Sequence, residues 1–284
     1  AKIGVGLNLD EIMLANTPAS FEPALDYTVC KMPRFPFDKF TAADHSLGTQ
    51  MKATGEVMSI GRTIEEALLK AVRSLEIGAY HLHMKKFDGR DSDGLLKYIS
   101  RGTDDRIFAI AELLRNGCDL GLIADATQID MFFLEKLKNI IEEEREISSN
   151  PGNGAVLREA KRMGFCDRAI ADLWNTDEKS IFDRRTAEGI MPVYKMIDSC
   201  ACEFDSYIPY FYSTYESQNE SVVSEKKKII VLGSGPIRIG QGVEFDYSTV
   251  HAVSTIKALG YEARIINNNP ETVSTDYTAA DTLY

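Results

Sequence analysis

The residues best suited to chemistry lie in a glycine-rich segment near the end of the chain. The apolar run 229–232 leads into Gly-Ser-Gly-Pro-Ile-Arg-Ile-Gly-Gln-Gly, residues 233–242. Where a strand enters such a loop ahead of a helix, unpaired backbone amides can bind a phosphate or a carboxylate. The candidate anion-binding residues are therefore Gly233, Gly235, Arg238 and Gly240.

Two nucleotide-binding templates fit this loop incompletely. The dinucleotide fingerprint requires a glycine where the chain has Arg238, and an acidic residue after the next strand where it has Asn267. The phosphate-loop template accepts the spacing of Gly235 and Gly240 but requires Lys followed by Ser or Thr, and residues 241–242 are Gln-Gly. A stand-alone Rossmann-like nucleotide-binding enzyme is therefore the alternative hypothesis, which micromolar binding of ATP or NAD would favour.

The elements around the loop predict the first β-α-β unit of a doubly wound sheet. Strands are expected at 228–232 and 262–267, with a helix at about 245–259 between them. Such sheets contain several parallel strands, and here the chain supplies one unit before it stops. Because it also lacks a starting methionine, we expect it to be an internal fragment whose exposed sheet edge pairs elsewhere.

The middle of the chain predicts helices only. Thr63 and Glu66 form a capping-box signal, and apolar residues then recur at helical spacing as far as Gly78. A second helix is expected from a cap at Asp104 to Gly117. Further helices are predicted at about 129–147, 155–163, 167–173 and 177–187. The polar segment 217–228 indicates a linker.

The first 62 residues predict strands instead. Residues 26–32 and 51–60 have strand-like composition, and Pro33 to Phe37 indicates a kink between them. The short segment Leu14 to Thr17 precedes this region.

Composition excludes several classes of function. The net charge is −11, with 43 acidic against 32 basic residues, which disfavours binding to nucleic acid. No apolar run is long enough for a bilayer, so we expect no membrane partner. Five cysteines without a paired spacing indicate reduced thiols and a cytoplasmic protein. His81 and His83 lack the further ligands of a zinc site, so no metal site is predicted.

Five motifs, in order along the chain, resemble the large chain of carbamoyl phosphate synthase. They are the glycine loop itself and the segments Phe21-Glu22-Pro23 with Asp26-Tyr27, Lys31 to Phe35, Thr54 to Arg62, and Asn269 to Tyr277. The resemblance implies an α/β plus all-α architecture. It implies the closing strands of a first ATP-grasp unit over residues 1–75, a helical oligomerisation domain over 76–220, and the start of a Rossmann-like pre-ATP-grasp domain over 221–284. The chain differs from the family at residues 14–17, where the family has a longer, glycine-containing loop.

The resemblance also implies a function for the parent enzyme, an ATP-dependent carbon–nitrogen ligase of arginine or pyrimidine synthesis. That enzyme makes carbamoyl phosphate from bicarbonate, ammonia and two ATP, with Mg²⁺ or Mn²⁺ and a glutamine amidotransferase small subunit. We expect the ligands for metal and nucleotide to lie before Ala1 or after Tyr284, so that the fragment alone is inactive. Its own expected roles are self-association and lining part of a tunnel for unstable intermediates.

The tunnel-lining residues implied by motif position are Gly242, Glu244, Glu271 and, from the first unit, Glu56. A glycine allows a passage close to the backbone, and carboxylates accept hydrogen bonds from ammonia or a carbamate amino group. Each acidic residue also has a simpler interpretation. Glu244 falls in the first turn of a helix, where the helix dipole favours a carboxylate, and Glu271 follows a proline in a polar turn.

Overall fold

In the described residues, the computed structural model has three two-stranded antiparallel sheets, a helical body and a parallel α/β unit. It describes the chain except residues 15–16, 23, 199–208, 234–242, 268–271 and 277, and it describes only the backbone at 14, 17 and 243–245. The helices of the described residues are α1 Ile64–Ser74, α2 Ser92–Ile99, α3 Arg106–Arg115, α4 Leu120–Thr127, α5 Met131–Ser149, α6 Gly154–Met163, α7 Asp167–Leu173, α8 Glu178–Ala187 and α9 Val243–Ala258. The strands are β1 Met13–Leu14, β2 Thr17–Pro18, β3 Thr28–Arg34, β4 Gly55–Gly61, β5 Val193–Met196, β6 Phe211–Thr214, β7 Lys228–Leu232, β8 Glu262–Ile266 and β9 Thr282–Leu283.

The first large hairpin pairs β3 with β4 in antiparallel register, with Thr28 opposite Gly61 and Arg34 opposite Gly55. Alternate side chains of β4 are buried, and Val57 packs with residues of α1. The strands thus form near the predicted positions, but the expected kink at Pro33 is wrong because Pro33 lies within β3. Its ring is accommodated since β3 is an edge strand with only one paired neighbour.

Helices α1 to α8 surround one apolar core, because each presents an apolar stripe to the same interior. Thr63 caps α1 as its sequence indicates, accepting a hydrogen bond from the Glu66 amide at 3.2 Å. The longest helix, α5, contributes Leu134, Leu137, Ile140 and others to this core. Its first turn exposes Met131, Phe132 and Phe133, and most of its other exposed positions are polar. None of the helices in the described part of the chain combines the length and apolar character required to cross a membrane.

Several helix boundaries differ from the sequence prediction for local reasons. Helix α3 begins after Asp105, so the predicted cap at Asp104 is wrong; Asp105 instead accepts hydrogen bonds from Tyr98 and Thr103. Helix α1 ends at Ser74, before the predicted stop at Gly78. The sequence analysis also missed α2 and α4. Both begin with an aspartate whose side chain accepts from the backbone of the first turn.

The expectation of helices only is wrong at residues 193–214, where β5 and β6 form an antiparallel hairpin. This hairpin contacts both the N-terminal region and the C-terminal unit. Lys70 of α1 donates to the Ser213 carbonyl, and the Tyr212 ring packs 6.4 Å from that of Tyr27. On the other side, Tyr210 forms a parallel bridge to Leu283 of β9. Of the described aromatic residues at 210, 211, 212 and 215, Phe211 and Tyr212 are buried.

The C-terminal unit contains the predicted strand–helix–strand arrangement. Strands β7, β8 and β9 are adjacent in that order and parallel. Helix α9 connects β7 to β8, and it packs Val253 and Ile256 against the sheet residues Ala263 and Ile265. The carboxyl ends of β7 and β8 therefore meet at one edge, where the glycine loop begins.

Candidate functional site

Of the glycine loop, the structure describes Gly233, which closely contacts the residues at the end of the neighbouring strand β8. Gly233 follows β7, and its amide donates to the Ile266 carbonyl at 2.7 Å. A Cβ atom at Gly233 would lie 2.6 Å from the Asn267 Cγ atom, a separation that real Cβ atoms do not show. Glycine is therefore required here so that the Asn267 side chain can cover the end of β7. Packing thus accounts for a glycine at this position of the motif, and the anion-binding role of Gly233 stays a prediction.

The other predicted residues of this region have different outcomes. Gly235, Arg238, Gly240, Gly242 and Glu271 lie outside the described residues. Glu244 is the second residue of α9, as its motif position indicates, but the structure describes only its backbone. Helix α9 thus begins directly after the glycine loop, in the order expected for a strand, an anion loop and a helix.

The structure identifies a buried polar contact that the sequence analysis missed. Asp246 of α9 is 3% exposed, and its Oδ2 accepts from the Ser274 amide at 2.6 Å. Ser274 lies in a single 3₁₀ turn, Val273–Thr275, directly after the segment that carries Glu271. The sequence did contain a signal for this buried aspartate. At helical spacing, Asp246 falls on the same face of α9 as the buried residues Thr249, Val253 and Ile256.

Glu56 lies apart from this region, on the hairpin of β3 and β4. It is opposite Pro33, and its carboxylate forms an ion pair with Lys31 at 3.3 Å. Both side chains are more than one third exposed. The pair is a diagonal cross-strand contact of the kind that stabilises hairpins by up to about 1 kcal/mol.

An open groove of about 860 Å³ lies between β3 and helices α1, α3 and α5. Its floor is mainly apolar, and its charged rim residues are largely paired within the chain. Lys86 contacts Asp105, and Lys136 contacts Glu65 at 3.4 Å. Among the described residues, no three His, Cys, Asp or Glu side chains are placed to hold a metal ion. The Mg²⁺ or Mn²⁺ of the expected parent reaction therefore does not fit any site in the described residues.

Comparison with known families provides the decisive observation. The family model "Carbamoyl-phosphate synthetase large chain, oligomerisation domain" matches residues 56–189, which contain the helical body. The model "Carbamoyl phosphate synthase preATP-grasp domain" matches residues 225–284, which contain β7, α9, β8 and β9. The chain belongs to the carbamoyl phosphate synthase large-chain family. This carbamoyl phosphate synthase segment therefore derives from a ligase family, and its oligomerisation domain supports self-association.

The oligomerisation domain of this carbamoyl phosphate synthase chain contains a buried charge network. Glu144 of α5 accepts from Arg115 Nε at 2.7 Å, from Arg115 Nη2 at 2.8 Å, and contacts His81 Nδ1 at 2.9 Å. Burial opposes ionisation of Glu144, but the hydrogen bonds from Arg115 and His81 outweigh it and lower the pKa to about 2. The His81 ring also stacks on His83, with centroids 5.6 Å apart. His81 is thus a structural partner of Glu144, and it lies in a loop.

The neighbouring carboxylate has the opposite environment. Glu143 is partly buried, and its Oε1 has no hydrogen-bond partner among the described residues. Burial, followed by the negative charges of Glu159 and Glu146, raises the pKa of Glu143 to about 7. Because the folded pKa of Glu143 exceeds its ordinary value of 4.5, the contribution of Glu143 to stability is greatest below about pH 4.5 and declines as pH rises through 7.

We expect Glu143→Gln to stabilise the helical domain at pH 8 by about 1–2 kcal/mol and to change little at pH 4.5. The measurement is urea unfolding at both pH values. It is followed through Trp174, the single tryptophan, whose indole Nε1 donates to the Ile147 carbonyl of α5 at 2.7 Å. Glu142→Gln is the control, because Glu142 is exposed beside Lys138. An equal gain at both pH values would contradict the assigned charge penalty.

Proposed function

We propose that this chain is the part of a carbamoyl phosphate synthase large chain that joins its two synthetic units. The supporting observation is that an oligomerisation-domain match is followed, in the same chain, by a preATP-grasp match. In this proposal residues 1–75 close the first ATP-grasp unit, 76–220 form the oligomerisation domain, and 221–284 open the second unit. The parallel β7-α9-β8 arrangement agrees with a Rossmann-like beginning of that second unit.

The proposed parent reaction proceeds in three steps. ATP phosphorylates bicarbonate to carboxyphosphate, ammonia displaces the phosphate to give carbamate, and a second ATP phosphorylates carbamate to carbamoyl phosphate. A glutamine amidotransferase subunit would supply the ammonia in the cytoplasm, for arginine or pyrimidine synthesis. The nucleotide and metal sites are assigned to the remainder of the large chain, and the present chain alone would be inactive.

Within that enzyme, we assign Gly242, Glu244 and Glu271 to the wall of a passage for ammonia or carbamate. The support for this assignment is a contact between Asp246, which closely follows Glu244 in sequence, and Ser274, which closely follows Glu271. The Asp246–Ser274 contact joins the first turns of α9, which carry Glu244, to the turn that directly follows Glu271. Glu56 is the weaker candidate, since it already has Lys31 as a partner on the hairpin.

The test is Glu271→Ala in the complete large chain, supplied with ammonia so that no second subunit is required. A passage residue acts between the two active sites, so each partial reaction should survive while their coupling is lost. We expect bicarbonate-dependent ATP hydrolysis, and ATP formation from ADP and carbamoyl phosphate, to stay within threefold of the parent. Overall carbamoyl phosphate synthesis should fall by about tenfold, with more ATP consumed per product.

Glu225→Ala provides a matched control, because Glu225 is an exposed carboxylate in the same family match and carries no proposed role. It should leave the ratio of ATP consumed to product formed unchanged. If Glu271→Ala preserves that ratio as well, Glu271 does not line the passage. If it abolishes ATP formation from carbamoyl phosphate, Glu271 belongs to an active site instead.

A further inference from the structure

We propose that Asp246 is a positioning residue that holds the two acidic segments of the passage in register. This inference rests on the proposed function of Glu244 and Glu271, and it assigns a role to a residue outside the glycine motif. The observation that carries it is the 2.6 Å hydrogen bond from the Ser274 amide to Asp246 Oδ2. Asp246 is 3% exposed and Ser274 is 1% exposed, so the contact is shielded from water.

The position of Asp246 on its helix is unusual for a charged residue. Asp246, Thr249, Val253 and Ile256 are all buried and recur at offsets of three, seven and ten, which places them on one face of α9. The last two pack into the apolar core of the C-terminal unit. A buried carboxylate on such a face is costly unless it is hydrogen-bonded, so packing alone does not account for an aspartate at this position.

The turn that Asp246 binds is internally closed. The Thr275 hydroxyl donates to the Thr272 carbonyl at 2.7 Å and accepts from the Thr272 amide at 3.1 Å. The Asp276 amide donates to the Val273 carbonyl at 3.1 Å. The Ser274 amide is directed to α9 instead of to the turn. A rigid turn joined to α9 through one buried amide cannot shift without breaking that hydrogen bond.

This connection joins two described residues, Asp246 and Ser274, that follow the proposed passage residues in sequence. Glu244 is two residues before Asp246 on α9, and Glu271 is three residues before Ser274. Loss of the Asp246 carboxylate would leave the Ser274 amide buried without its acceptor and release the turn from the helix. A small displacement of a residue that positions reactants can reduce rates by about two orders of magnitude. The effect should fall on transfer between active sites rather than on either site.

The experiment compares Asp246→Ala with Asp246→Asn in the complete large chain, again with ammonia. Asparagine keeps a carbonyl oxygen that can accept from the Ser274 amide, whereas alanine does not. We expect Asp246→Ala to reduce overall synthesis by about tenfold while both partial reactions stay within threefold. Asp246→Asn should restore overall synthesis to within threefold of the parent. Asp276→Ala is the control, because Asp276 is exposed and, among the described residues, accepts from Thr278 in its own loop.

Hydrogen exchange tests the contact separately from catalysis. The Ser274 amide should exchange at least tenfold faster in Asp246→Ala than in the parent, while the Ile265 and Leu283 amides keep their rates. Unchanged exchange at Ser274 would overturn the inference. The inference would also be overturned if Glu271→Ala lowered overall synthesis while Asp246→Ala did not. It would be overturned as well if Asp246→Ala and Asp246→Asn lowered overall synthesis equally. If neither Glu271→Ala nor Asp246→Ala uncouples synthesis, the proposed passage itself fails and the inference fails with it.

Discussion

Glu144→Ala is expected to lower the free energy of unfolding by about 3–5 kcal/mol, the range for removal of one partner from a buried ion pair. The reason is that Arg115 and His81 would both lose a buried acceptor. Arg115 would keep only the Leu82 carbonyl at 2.6 Å and the Glu112 carboxylate at 3.2 Å. A loss of this size is a large fraction of the stability of an ordinary domain.

The measurement is urea or thermal unfolding of the chain, followed through Trp174 fluorescence. Glu142→Ala is a matched control, since it removes the same side chain two residues away where the carboxylate is exposed and pairs with Lys138 at 3.5 Å. Its expected effect is below about 0.5 kcal/mol. If the two variants are equally stable, the buried network does not stabilise the fold.

The pH dependence of this effect has a definite sign. The folded pKa of Glu144, about 2, lies below its ordinary value of 4.5, so its stabilisation is complete above about pH 5. It should be lost progressively as pH falls towards 2. The difference between the parent and Glu144→Ala should therefore shrink in acid, which is opposite to the behaviour expected for Glu143→Gln.

Gly164→Ala is expected to destabilise the chain by about 3 kcal/mol or more, through both strain and collision. Gly164 ends α6 with a φ of +105°, a conformation that alanine adopts at a cost. A Cβ atom there would also lie 2.9 Å from the Cα of Glu66 on α1. The backbone of α1 cannot move away easily, because Arg73 of the same helix donates to the Gly164 carbonyl at 2.8 Å.

Gly117→Ala separates the cost of backbone strain from the cost of collision with a neighbouring helix. Gly117 follows α3 with a φ of +77°, and a Cβ atom there would meet nothing within 4 Å. The two helix ends are otherwise similar. The amide of the residue after each glycine donates to a helix carbonyl, Cys118 to Leu113 and Phe165 to Ala160. We expect about 1 kcal/mol from backbone strain alone at Gly117. Thermal unfolding of both variants checks the difference, and equal losses would show that contact with α1 contributes nothing.

Sequence information predicted the helical body and the α/β unit where local signals were strong. Thr63 with Glu66 predicted the start of α1, and the range predicted as 155–163 agrees with α6, which ends at the left-handed Gly164. Caps and left-handed glycines act within a few residues, so these signals are local. Helices α2 and α4 were missed because each has only eight residues, too few for a clear apolar period. The β5–β6 hairpin was missed because its pairing depends on contacts distant in sequence.

The candidate site was less predictable for a related reason. The glycine motif identified where β7 ends and α9 begins, since that signal is local. Its anion-binding interpretation of Gly233 stays a prediction, and the structure adds a packing contact between Gly233 and Asn267 that the sequence did not indicate. It did not identify Asp246, because the partner amide of Ser274 is distant in the chain and contributes no side-chain signal. The chemistry of a buried carboxylate depends on where backbone amides converge, which residue spacing alone does not report.

The bridge between Tyr210 and Leu283 has a consequence for biosynthesis. Tyr210 leaves the ribosome well before Leu283, which is the second-to-last residue of the chain described here. At translation speeds of about 5–20 residues per second, Tyr210, the residue before β6, must wait several seconds for that partner. The β5–β6 hairpin can therefore form during synthesis before its contact with β9 exists.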